Sequence, residues 1–111
     1  MSTVFKKIID KEIPADIVYE DDLSIAFRDI NPVAPVHILI IPKKEIPMLS
    51  EMNQEDTNLV GHLLWVATKI AKNMDLKGFR VVINNGKEGG QHIFHLHVHL
   101  VSGRPLSWPP G

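Results

Sequence analysis

The chain contains no cysteine. Disulfides, thiolate metal centres and a cysteine nucleophile are therefore excluded, and a reducing, cytoplasmic location is the expectation. No apolar run approaches the roughly 20 residues of a membrane span, and the opening Ser2-Thr3-Val4-Phe5-Lys6-Lys7 lacks the apolar stretch of a secretory signal. Membrane association is not expected. Neither sign of charge is in excess: 12 Lys and Arg against 13 Asp and Glu give a formal net charge of −1. Without a basic stripe, binding to nucleic acid through bulk charge is not expected either. Repeats, low-complexity tracts and linkers are also missing. The 111 residues suffice for one compact domain and are too few for two, so a single domain over 1–111 is expected. An apolar content of 44% is ordinary for a chain with a core.

Eight prolines and seven glycines punctuate the chain, mostly between elements. Val4, Phe5, Ile8 and Ile9 have helical spacing after Ser2 or Thr3 as a cap, which predicts a short helix ending before Pro14. Ile17–Tyr19 and Leu23–Arg28 flank the acidic turn Glu20-Asp21-Asp22 and read as a hairpin. Two prolines, Pro32 and Pro35, make 29–35 a loop. Val36–Ile41 is almost continuously apolar and β-branched, as in a buried central strand, and His37 interrupts it. Asn53–Met74 is the one long helix, with Asn53 as cap and Glu55 and Asp56 near its positive end. Its stripe of Leu59, Leu63, Val66, Ile70 and Met74, widened by Val60, Leu64, Ala67 and Ala71, suits burial by the sheet and by a second subunit, or burial in its own core. Phe79–Asn84 and Ile93–Ser102 are expected as strands around a Gly-rich loop. Hairpins dominate, so the fold class is α+β with a mainly antiparallel sheet.

Four of the six histidines lie between His92 and His99. From His95 onward they alternate with apolar residues. The two-residue period of a strand puts His95, His97 and His99 on one face and Phe94, Leu96, Val98 and Leu100 on the other. On a helix the three would scatter. Two chemistries fit. Neutral imidazoles bind zinc, copper or nickel, although no carboxylate or cysteine nearby completes a structural site. Alternatively the central imidazole attacks phosphorus, being largely unprotonated at neutral pH, while a flanking one binds phosphate oxygens or protonates the leaving group. His37, in a run that should be buried, needs a polar partner, and His95 is a sensible one. His62, on the long helix, reads as a surface or interface residue.

The run His95-Leu96-His97-Val98-His99-Leu100-Val101 resembles the motif of the histidine triad family. The segments 5–14, 26–30 and 35–44 and the ending Trp108-Pro109-Pro110-Gly111 resemble its nucleotide-binding (Hint) branch, so the likeness spans essentially the whole chain. It implies a five-stranded antiparallel sheet with a short N-terminal and a long central helix, assembled as a homodimer. It implies a hydrolase that cleaves purine nucleoside 5′-monophosphoramidates, or conjugates such as aminoacyl adenylates, without a cofactor. His97 then matches the nucleophile, which becomes nucleotidylated. His99 matches the residue at the phosphate and leaving-group side, and His95 and His37 match supporting histidines. Asn84, Gly90 and Gln91 match the surroundings of the phosphate. Asp29 matches the carboxylate for the ribose hydroxyls, and an ionised aspartate, which only accepts, suits that role. Val4, Phe5, Ile8, Phe27 and Ile30 match the apolar cleft for the base, and Trp108 the leaving-group side of the partner's site. The chain departs from eukaryotic members at His92, where a serine is common, so an altered leaving-group preference is expected. Related readings are a dinucleoside polyphosphate hydrolase, although that branch usually lacks the Trp-Pro-Pro-Gly ending, and a nucleotide-binding regulator with little turnover.

Overall fold

Alternate side chains of a strand face opposite sides of its sheet, so an unbroken apolar run belongs where both sides are covered. In the computed structural model, which describes residues 2–111, that run is strand β3 (Val36–Pro42). It lies at the centre of a five-stranded antiparallel sheet with β1 (Ile17–Glu20), β2 (Ser24–Arg28), β4 (Phe79–Val82) and β5 (Val98–Ser102), in the order β1-β2-β3-β5-β4. Helix α1 (Val4–Ile9) covers one face, where Phe5 and Ile8 pack on Ile25, Phe27, Leu39 and Ile41. Helix α2 (Thr57–Asn73) covers the other, where Leu63, Val66, Ala67 and Ile70 pack on Ala26, Ile38, Ile40, Val98 and Leu100. This is the α+β arrangement expected from the sequence.

The helix starts follow local chemistry. Thr3 Oγ1 accepts the Lys6 N–H at 3.1 Å and caps α1. A 3-10 turn over Gln54–Asp56 leads into α2, and the Asn53 N–H donates to Asp56 Oδ2 at 2.9 Å. Lys44 Nζ meets the buried Asp56 Oδ1 at 2.6 Å and pins this start to the segment leaving β3. At the hairpin turn, Asp21 Oδ1 accepts the N–H groups of Leu23 and Ser24, each at 2.8 Å. His62 is more than a surface residue, because its Nε2 bonds Asp21 Oδ2 at 2.7 Å and ties α2 to that turn.

Two strand boundaries differ from expectation. β4 ends at Val82 rather than Asn84, and β5 begins at Val98 rather than Ile93. Pairing with β3 stops because β3 itself ends at Pro42, which has no N–H to offer. The chain before β5 bonds instead to the segment beyond β3, with the Leu96 N–H donating to the Ile46 carbonyl at 2.7 Å. Outside the ladder the alternation loosens, and Phe94, expected in the core, is 44% exposed.

Leu63 is wholly buried where α2 meets the sheet. Leu63→Ala is expected to cost about 3 kcal/mol, through lost transfer energy and the cavity left behind. A urea titration checks it as a lowered midpoint with an unchanged slope.

Candidate active site

The β3–β5 register sets Leu39 opposite His99 and His37 opposite Val101. His37 and His99 are therefore diagonal neighbours on the α1 face, within reach of each other's rings. His37 Nε2 lies 2.9 Å from His99 Nδ1. On its other side, His37 Nδ1 accepts the Val33 N–H at 3.2 Å. A neutral imidazole carries one hydrogen. It must sit on His37 Nε2, which donates to His99 Nδ1, and this leaves the His99 hydrogen on Nε2. That nitrogen is buried and meets no partner among the described residues, the kind of group that calls for a ligand. Asp29, just past β2, places Oδ2 at 3.5 Å from His37 Nε2 and accepts the Asn31 N–H on Oδ1 at 2.8 Å.

His97 is oriented by its own backbone. Its Nδ1 lies 2.7 Å from the His95 carbonyl oxygen. A carbonyl only accepts, so Nδ1 carries the hydrogen and the lone pair is on Nε2. The ring stands edge-on to Phe5 at 5.1 Å between centres and lies 4.9 Å from the ring of His99. His95 sits beneath, 2% exposed, with Nε2 bonded to the Pro42 carbonyl at 2.8 Å. The expected pairing of His37 with His95 does not form: the register sets His99 beside His37 and leaves His95 past the end of β3.

These groups open on a cavity of about 490 Å³. Val4, Phe5, Ile8, Phe27 and Ile30 line it as expected, and so do Asp29, His37, Gly90, His92, His97 and His99. Four expected site residues stand apart from its wall. His95 lies below the surface. Asn84 sits behind Gly90, within 4 Å of where a Cβ there would lie. Gln91 is 1% exposed and its amide is fully occupied by backbone: Oε1 takes the Gly86 N–H at 2.8 Å, and Nε2 donates to the carbonyls of Pro47 and Ile93 at 2.8 and 3.0 Å. It braces the loop instead of facing a ligand. Trp108 is 82% exposed, in a tail held by the Arg80 bond to the Ser107 carbonyl at 2.7 Å. Sequence reasoning missed Ile13, Pro14, Ala15, Arg28, Asn31, Val33, Leu39 and Ile93. Leu39 shares the face of His37 by the two-residue period, a signal that was available. Nothing local marks Pro14.

Ligand atoms of Asp29, His37 and His99 also lie within 4.8 Å of one another, close enough for one metal ion. The hydrogen bond between the two rings uses the lone pair of His99 Nδ1 and the hydrogen of His37 Nε2. A metal would have to displace that bond, so the donor set fits an ion poorly.

A five-stranded antiparallel sheet with alternating histidines at the mouth of a part-apolar cavity defines a recognisable class. Residues 10–106 match the HIT domain, and the chain belongs to the histidine triad (HIT) family. It is 59% identical over 110 residues to an uncharacterised HIT-like protein of Synechocystis sp., covering 98% of this chain and 96% of that one. Its structure is similar to that of a HIT family hydrolase from Legionella pneumophila, with a TM-score of 0.97 and 46% identity over 99% of this chain and 100% of that chain. It also resembles a histidine triad nucleotide-binding protein from Candida albicans, with a TM-score of 0.83 and 32% identity over 97% and 83% of the two chains.

Burial lowers the pKa of His95, His97 and His99 by disfavouring the charged rings, and His99, which also faces His97 and His37, is lowered to about 4. The unfolded chain titrates near 6.5 at such residues. It therefore binds more protons than the folded chain below that pH, and stability is full above about 6.5 and lost as the pH falls toward about 4. The carboxylate losses come lower. Burial alone would raise the Asp21 pKa, but hydrogen bonds from His62, Leu23, Tyr19 and Ser24 outweigh it and hold the group below the usual range. Urea midpoints measured from about pH 7 to about pH 5 are expected to fall, and His99→Asn to fall less steeply.

Proposed function

We propose that the protein hydrolyses purine nucleoside 5′-monophosphoramidates, and related conjugates such as aminoacyl adenylates, through a nucleotide bound covalently to His97. The observation that supports this best is the orientation of His97. Its Nδ1–H is committed to the His95 carbonyl, and burial lowers its pKa by disfavouring the charged ring. A fixed lone pair at the cavity is what nucleophilic attack on phosphorus requires. The hydrolase from Legionella and the nucleotide-binding protein from Candida support the same reading.

The cavity divides by chemistry. Its apolar end, built on Phe5, Ile8 and Phe27, suits a purine base. Asp29 accepts from the two ribose hydroxyls. The phosphate lies between His97 and His99, where the unpartnered Nε2–H of His99 donates to a phosphoryl oxygen whose charge grows during attack. His97 Nε2 forms the bond to phosphorus as the bond to the amine breaks, and water then releases the nucleoside monophosphate. The chemistry calls for no cofactor. Arg28 is the one Lys or Arg side chain lining the cavity among the described residues, which favours a single phosphate over the polyphosphate chain of a dinucleoside substrate.

The protein also acts as a homodimer in this reading. Leu64 and Trp65 of α2 are 40% and 52% exposed, and Phe79 on the unpaired edge strand β4 is 40% exposed. A two-fold contact would cover them, and the exposed Trp108 would then reach the partner's cavity. Light scattering is expected to give twice the 12.5 kDa chain mass, and Trp65→Glu to give the single mass.

His97→Asn is expected to lower turnover of an adenosine phosphoramidate by about 10⁴-fold or more while nucleotide binding is retained. Intact mass after a basic quench should show an adenylyl adduct on the chelator-treated wild type and none on the variant. An active His97→Asn would overturn the assignment of the nucleophile.

A further inference from the structure

Val33 is held by both of its backbone polar groups, from opposite sides. Its N–H donates to His37 Nδ1 at 3.2 Å. Its carbonyl accepts from Arg104 Nη2, also at 3.2 Å. Arg104 lies just past β5 and is not among the residues that line the cavity. Its other terminal nitrogen, Nη1, donates to the Pro105 carbonyl at 3.1 Å, so both prongs of the guanidinium fork are engaged. A guanidinium stays charged and only donates, and charge-assisted bonds are the stronger kind.

The backbone that brings Arg104 to Val33 is built for close approach. The β3–β5 register pairs Val36 with Ser102, so Pro35 and Gly103 meet just beyond the ladder. Gly103 has a φ of +98°, in the left-handed region, and a Cβ there would fall 2.7 Å from Pro35 Cβ. Glycine therefore lets the chain leaving β5 lie against the loop 29–35, with Arg104 next in line.

The consequence lies in the imidazole rings. The neutral pair His37 and His99 can carry its hydrogens in two ways. With the His37 hydrogen on Nε2, it donates to His99 Nδ1, and His99 turns an Nε2–H toward the cavity. With the His37 hydrogen on Nδ1, the bond between the rings reverses, and His99 Nε2 offers a lone pair instead. The second arrangement would set His37 Nδ1–H against the Val33 N–H, donor against donor, so Val33 excludes it. Asp29 Oδ2, 3.5 Å from His37 Nε2, is beyond a normal hydrogen bond and leaves the decision to the Val33 amide.

We propose that Arg104 is a positioning residue for phosphate binding: by fixing Val33 from outside the cavity, it holds His99 in the tautomer that donates from Nε2. The inference rests on the reading of the cavity as a nucleotide site with the phosphate at His99. A lone pair on that nitrogen would repel a phosphoryl oxygen. Loss of Arg104 therefore weakens contact with the phosphate and spares contact with base and ribose.

Arg104→Met removes the guanidinium and keeps an alkyl chain, and the residue is exposed, so the variant should fold. Nitrogen-15 spectra tell a ring nitrogen that carries hydrogen from one that does not. At about pH 8, above the ordinary imidazole pKa, the wild type is expected to show hydrogen on His99 Nε2. In Arg104→Met that signal should move toward the position of a bare nitrogen. Calorimetry with two ligands then separates tautomer from loop position. Arg104→Met is expected to bind adenosine 5′-monophosphate about 10-fold more weakly, the size of effect that outer positioning groups have, and to bind adenosine as the wild type does. An unchanged His99 spectrum overturns the proposal. So does an equal loss for both ligands, because Asp29 and Ile30 ride on the same loop and a general displacement would weaken both. A wild type that binds neither ligand overturns the nucleotide reading itself, a failure distinct from the others because the spectrum still reports the hold of Arg104 on His99.

Discussion

The antiparallel register between β3 and β5 is the constraint on which the rest depends. It is strongly specified because both faces of β3 are buried: Ile38 and Ile40 toward α2, Leu39 and Ile41 toward α1. A slip of one residue would exchange the two faces and drive His37 into the core under α2. The same register that satisfies the apolar residues sets His37 and His99 diagonally across the ladder, so the register cannot shift without parting those two residues. Core packing and site geometry are here one requirement.

From that pairing a chain of single hydrogens follows. The Val33 amide dictates where His37 carries its hydrogen, His37 dictates the same for His99, and the His95 carbonyl does so for His97. Each step is a local rule about donors and acceptors, and together they leave one lone pair and one N–H for a ligand. Backbone groups begin this chain and orient His97. The loop 29–35 that supplies the Val33 amide also carries Asp29 and Ile30 into the cavity, which couples the cavity wall to the imidazole chain.

The loops are fixed by polar brackets as well as by the apolar packing of residues such as Ile46, Ile93 and Leu96. Gln91 closes the segment from Gly86 to Ile93 and joins it to Pro47, and Lys44 with Asp56 anchors the start of α2. The Gln91 amide and the Asp56 carboxylate are buried, and such groups are costly to leave unpaired; the Gln91 bonds hold Gly90 and His92 where strand pairing no longer reaches.

Much was legible in the sequence, because periodicity and capping are local. The apolar run at 38–41, the hairpin around Glu20–Asp22, the Thr3 cap and the sides taken by Leu96, Val98 and Leu100 all follow from spacing and side-chain chemistry. The alternating histidines pointed to a candidate site, and likeness to a family named most of the residues that line the cavity beside it. Tertiary structure alone decided that His37 joins His99 rather than His95, that β5 starts at Val98, that Gln91 braces a loop instead of facing a ligand, and that Pro14 and Arg28 line the cavity. Sequence spacing gives the face on which a side chain lies. Which neighbour it meets there depends on the register of one strand against another and on where a partner strand stops, and those are properties of chain segments brought together from far apart.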